Sequence, residues 1–153
     1  MSEKRPVRYV ELTTLAHATE DKDKVLRAIL NMFPKDSDLP GFNETKLTGF
    51  FGDPLISFRL EINKRRQGTE FLEHLIKSLN SLDYSDLIEN LPKRMDESKN
   101  LYMRFDKQKA LQGNISLEMH DAIRIKFRLH VPWGSDPVEF LTEYIENVST
   151  GVE

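Results

Sequence analysis

The clearest alternation of apolar and polar positions lies in Asp121-Ala-Ile-Arg-Ile-Lys-Phe-Arg-Leu-His-Val131. Ile123, Ile125, Phe127, Leu129 and Val131 fall on one side, and Arg124, Lys126, Arg128 and His130 on the other. Successive side chains of a strand leave opposite faces of its sheet, so the pattern predicts a strand with one apolar and one wholly basic face. The apolar row requires a core. The basic row has to face water, because burying unpaired cations costs more than packing returns.

The same reading extends along the chain. Val7 to Ala16 predicts a first strand, although its two faces are not cleanly separated. Thr19 is placed to cap a helix whose stripe is Val25, Leu26, Ile29, Leu30 and Phe33, with Glu20, Asp21 and Asp23 near its positive end and Pro34 stopping it. Glu44 to Phe50 and Leu55 to Ile62 predict two strands joined around Gly49-Phe-Phe-Gly-Asp-Pro54. Phe50 and Phe51 cannot both reach the core from a short strand end, so a packed turn is expected there, with one ring as an exposed contact the alternative; Arg59 is expected on the outward face of the second strand. A longer helix carries Phe71, Leu72, Leu75, Ile76 and Leu79. Leu82-Asp83-Tyr84 should break it, before a short helix over Leu87, Ile88 and Leu91 that Pro92 stops. Leu101 to Phe105 predicts a fourth strand, with Tyr102 and Arg104 outward, followed by a turn or single helical turn from Asp106 to Gly113. After the basic strand, Ser135 or Asp136 caps a last helix with Pro137 in its first turn. Leu141, Tyr144, Ile145 and Val148 face inward there, and Glu139, Glu143 and Glu146 outward.

Hairpins with segregated helices imply an α+β fold: a single domain over 1–153 with a largely antiparallel five-stranded sheet and helices packed on one face. The other face stays open, and the basic row lies on it.

Composition narrows the chemistry. The 153 residues contain no cysteine, which removes disulfides and thiolate metal sites and fits a cytoplasmic protein. Nothing reads as a signal or a membrane span. The net charge of −3 argues against a general polyanion binder, but the charge is unevenly spread. Arg104, Lys107, Lys109, Arg124, Lys126 and Arg128 crowd one region, whereas Asp136, Glu139, Glu143, Glu146 and Glu153 follow with no Lys or Arg among them. His17, His74, His120 and His130 lack the spacing of a metal site, and His120-Asp121 alone is too small a pair to specify a metal phosphohydrolase. Neither a nucleotide-cradling glycine loop nor a serine elbow is present, so no catalytic residue, metal or cofactor is expected. The positive constellation is Arg59, Tyr102, Arg104, Lys107, Lys109, Arg124, Lys126, Arg128 and His130. Arg and Lys suit phosphate oxygens, and Tyr102 is the one evident stacking platform, which favours structured RNA gripped by backbone and shape.

Leu101-Tyr-Met-Arg-Phe-Asp-Lys-Gln-Lys-Ala-Leu-Gln-Gly113 and Asp121-Ala-Ile-Arg-Ile125 resemble an archaeal family described as predicted RNA-binding exosome subunits. His17-Ala-Thr-Glu20 and Gly49-Phe-Phe-Gly-Asp-Pro-Leu55 extend the resemblance over nearly the whole chain. Asp53 departs from it, since Asn is expected there. The resemblance implies a fold similar to the ribosomal protein that carries five-S rRNA. It also implies exosome or ribosome-assembly partners, and it offers Arg104, Asp106, Lys107 and Gln108 as binding candidates. The expected function is non-catalytic RNA binding in processing, degradation or ribosome assembly. The alternative is a protein-interaction subunit that docks through its acidic C-terminal helix.

Overall fold

A computed structural model describes residues 5–151 apart from Asp36, Pro40, Met119 and Asp121. In chain order the elements are β1 (Val7–His17), α1 (Lys22–Asn31), β2 (Asn43–Thr48), β3 (Pro54–Ile62), α2 (Arg65–Ser78) and α3 (Ser81–Glu89). They continue with α4 (Leu91–Arg94), β4 (Asn100–Asp106), α5 (Lys107–Leu111), β5 (Ala122–Leu129) and α6 (Pro137–Thr150). The strands form one antiparallel sheet in the order β2-β3-β1-β5-β4, so β1 lies at its centre.

Alternation sorts the residues as the sequence requires. Ile123, Ile125, Phe127 and Leu129 are buried together with Leu101, Met103 and Phe105 of β4 and Phe58, Leu60 and Ile62 of β3. Helix α2 covers this face with Phe71, Leu72, Leu75 and Ile76, and Phe71 stacks on Phe33 at 4.1 Å between ring centres. Its approach to β1 depends on Gly68: a Cβ there would stand 2.9 Å from Val7 Cγ1. The mixed faces of β1 also have a local cause. The register slips between Val7 and Tyr9, a bulge that turns Arg8 into solvent and restores the burial of Val10.

Several expectations about helix ends are corrected. Asp21, not Thr19, caps α1 by accepting from the Asp23 N–H, which leaves Asp23 as the acid in its first turn. The buried stripe of that helix region is Val25, Ala28, Ile29, Met32 and Phe33, while Leu30 is exposed. Leu82-Asp83-Tyr84 lies within α3, because Asn80 caps a new helix immediately before it. Pro92 falls in the first turn of α4, where its missing N–H costs nothing, instead of stopping a helix. At α6, Asp136 accepts from the Glu139 N–H and Pro137 opens the helix as expected.

The two margins of the sheet differ. Outside β4, Met95 bridges to Leu101 and Leu117 to Phe105, and the Asp106 and Glu118 N–H groups donate to Ser116 and Arg104 carbonyls. Outside β2 no strand pairs among the described residues, and all six of its residues are exposed.

Candidate functional site

The open face of the sheet can be followed row by row from its pairing. One row sets Arg59, Thr13, Arg124 and Arg104 side by side across β3, β1, β5 and β4. The next contains Glu61, Glu11, Lys126 and Tyr102, and a third contains Tyr9, Arg128 and Asn100. Arg104, Arg124, Arg128 and Arg59 are exposed and Lys126 is half-buried.

The face is not wholly basic. Glu11 and Glu61 stand on it, and Arg59 donates to both, at 2.6 Å and 3.0 Å. The charge of Arg59 is therefore largely spent within the protein. Its strand does not flank β5, since β1 runs between them. Among the described residues, the side chains of Arg124 and Lys126 have neither a hydrogen bond nor an ion pair, which leaves their charges on β5 available. Arg128 lies over the Tyr9 ring, 5.6 Å from its centre. At the end of this row Arg8 donates to His130 Nδ1 at 2.7 Å, which adds a cation that the sequence pattern did not single out.

Arg124 stands directly opposite Arg104 in register. A hollow lined by Tyr102, Arg104, Arg124, Lys126, Glu11 and Thr13 opens at this point. A second hollow continues past it, lined by Thr13, Leu15, His17, Ser57 and Arg124.

Tyr102 is held at the rim of the first hollow. Its hydroxyl donates to Asp96 Oδ2 at 2.9 Å, and this bond raises the phenol above its usual range. Asp96 also accepts from Asn100 Nδ2 and from the Asn100 and Ser98 N–H groups. With the Asn100 side chain contributing most, these bonds lower its carboxyl to about 2.

Lys107 is a correction to the sequence constellation. It is 6% exposed, and its Nζ donates to the Leu15 carbonyl at 2.7 Å and to Glu20 Oε1 at 2.9 Å. The pairing of β1 with β5 ends at Thr13, and Lys107 satisfies a carbonyl beyond that end. Its charge serves the interior. Lys109 and Gln108 are exposed on α5, and Asp106 caps that helix by accepting from the Lys109 N–H. His120 is exposed, and Asp121 lies outside the described residues, so their pairing is not characterised. Among the described residues no three His, Asp or Glu side chains group as metal ligands, and no helix is long and apolar enough to cross a membrane.

The expected packed turn at Phe50 and Phe51 is also overturned. Both rings are in solvent, 96% and 91% exposed, and Trp133 is 99% exposed in the turn before α6. The surface is richer in aromatics than the alternation pattern suggested. A period-two reading stops at the strand ends, where these residues begin.

A family described as RNA binding matches residues 9–129. An RNA-binding protein of Pyrococcus abyssi is 34% identical over 133 residues, which cover 84% of this chain and 86% of the relative. An uncharacterized protein of Methanocaldococcus jannaschii is 29% identical over 143 residues, 90% of this chain and 95% of that one. Among solved structures, a protein of Archaeoglobus fulgidus superimposes with a TM-score of 0.76 at 30% identity, covering 93% of this chain and 99% of its own. A protein of Methanothermobacter thermautotrophicus gives 0.73 at 27% identity, with 94% and 98% covered.

Proposed function

The chain belongs to the RNA-binding family that matches residues 9–129, and from that premise we propose that it grips structured RNA through the open sheet face without cleaving it. The observation that carries this reading is the row of Arg124, Lys126 and Arg128 along β5, with Arg104 beside Arg124 in register. Neighbouring cationic side chains on one sheet face suit phosphate oxygens, which arginine can also engage in a bidentate way. Cations at every second residue of a strand recur about every 7 Å, given a rise of roughly 3.4 Å per residue, which suits contact with successive phosphates.

Phosphate and shape contacts, rather than reading of base edges by the sheet, favour a folded RNA over an extended strand. The resemblance of Leu101–Gly113 to exosome-subunit sequences supports a place in RNA processing, degradation or ribosome assembly. The binding residues proposed are Arg124, Lys126, Arg128 and Arg104 at the centre, with Tyr102, Lys109 and His130 at the margins. Arg59 is a secondary member because Glu11 and Glu61 already compensate it.

Filter binding to total RNA across a salt series tests this. Changing Arg124, Lys126 and Arg128 together to Gln keeps the strand polar outside and apolar inside, so the fold survives. Affinity at low salt should drop strongly. The log–log salt slope should flatten by about 2 to 3, since each phosphate contact contributes roughly 0.7 to 0.9. A folded triple variant with the parent's affinity and slope would reduce the basic row to a merely hydrated surface.

A further inference from the structure

The β2–β3 hairpin ends in a tight turn that exposes two adjacent aromatic rings. The Gly49 N–H donates to the Asp53 carbonyl at 2.7 Å, and the Gly52 N–H to the Gly49 carbonyl at 2.9 Å. Gly52 has φ +82, and a Cβ on Gly49 would stand 2.6 Å from Asp53 Oδ1. The left-handed φ of Gly52 favours glycine, and the two backbone bonds define the turn sharply. Between them Phe50 and Phe51 pack edge to face with ring centres 5.0 Å apart, and neither reaches the core. Exposing two large apolar side chains on a closed turn carries a hydration cost that the fold does not recover.

The position of the tip indicates what it meets. His17 pairs with Leu55, and the strand pair closes at Thr48 and Pro54. From Arg124 this is five residues along the sheet and two strands across it, roughly 20 Å in all at about 3.4 Å per residue and 4.8 Å per strand. The second hollow, with Thr13, Leu15, His17 and Ser57, lies along the way. An RNA seated on Arg104 and Arg124 and running toward that end of β1 thus reaches the two rings. At the tip Asp53 repels phosphate, whereas a phenylalanine face accepts a base. Two rings alone are also far smaller than the roughly 800 Å² per partner that a stable protein interface buries.

We propose that the Phe50–Phe51 tip is a base-stacking wedge that engages unpaired nucleobases at the end of the RNA helix held on the sheet. The wedge rests on the RNA-binding reading and adds a preference to it: RNA with a loop or junction beside a helix, over uninterrupted duplex.

The test compares an RNA stem-loop carrying 2-aminopurine in its loop with a long uninterrupted RNA duplex. The proteins are the parent, F50A/F51A, F50L/F51L and F50Y/F51Y, all of which retain both glycines. Stacking is worth enough that F50A/F51A should lose at least about tenfold in stem-loop affinity. It should leave duplex affinity and the salt slope unchanged, and quenching of the loop fluorophore should disappear. Tyrosine should restore both readouts and leucine neither. Equal stem-loop binding by the parent and F50A/F51A, or full rescue by leucine, would overturn the wedge while leaving RNA binding by the sheet intact. A parent that binds neither RNA would overturn the RNA reading itself. A parent dimer that F50A/F51A converts to monomer in sedimentation, with RNA affinity unchanged, would make the tip a self-association surface and also overturn the proposal.

Discussion

Lys107 is a cation that stabilises the fold from inside. Its ammonium joins the end of β1 to the loop before α1 through Leu15 and Glu20, two contacts that are remote in sequence. Replacing it with Met keeps the bulk and leaves a carbonyl and a carboxylate without this donor. Urea denaturation should show a loss of about 1–3 kcal/mol, below the full cost of breaking a buried pair because Glu20 reaches solvent. The RNA salt slope should stay at the parent value. Asp96 offers a second residue-scale test. Its carboxyl is lowered to about 2 by the bonds from Asn100, Tyr102 and Ser98. A group depressed on folding contributes stability above its unfolded range near pH 4 and loses it as pH falls through about 2. Asp96→Asn should therefore melt below the parent at neutral pH, and the gap in Tm should close between about pH 4 and pH 2. Neither role was legible in the sequence. A charge run does not show which of its members turns inward, and the acceptors of Lys107 lie far back along the chain.

At the scale of elements, β5 was the most legible part of the molecule. Its apolar and basic residues separate onto two faces because a pleated strand permits no other arrangement. Apolar spacing also located α2 and α6. The boundaries around α3 and α4 were harder. Asn80 can restart a helix after the single extended residue Leu79, and a proline is as acceptable in a first turn as it is fatal in an interior. Helix α6 also supplies the test of the alternative function. Glu139, Glu143 and Glu146 are exposed, and among the described residues none forms an ion pair. Reversing all three to Lys should leave the melting transition in place. If the helix docks on a basic protein, copurifying partners should be lost; retained partners would remove that reading.

Across the whole molecule, topology decides how much of the basic face is available. The central position of β1 places Glu11 between Glu61 and Lys126, and so divides the face into a side where these acids compensate Arg59 and a side that carries Arg124, Lys126 and Arg128. That division could not be read from the chain, because it depends on register between strands about fifty and a hundred residues apart. It can be tested by subtraction. Changing Glu11 and Glu61 together to Gln releases Arg59, which should raise RNA affinity at low salt and steepen the log–log slope by about 0.7 to 0.9. An unchanged slope would place the RNA wholly on the β5–β4 side.

The unequal margins of the sheet have a consequence for how such molecules can join. A strand with unpaired backbone groups invites another strand, and β2 offers such an edge, while the bridges from Met95 and Leu117 occupy the margin beside β4. In the vocabulary of polymer growth the sheet is monofunctional. Two copies meeting edge to edge through β2 would satisfy each other by a twofold axis and leave no second site for a third, so the reaction terminates at its first step. An open edge is hazardous in a molecule that has two of them. Here, closing one margin keeps the other from seeding a fibre.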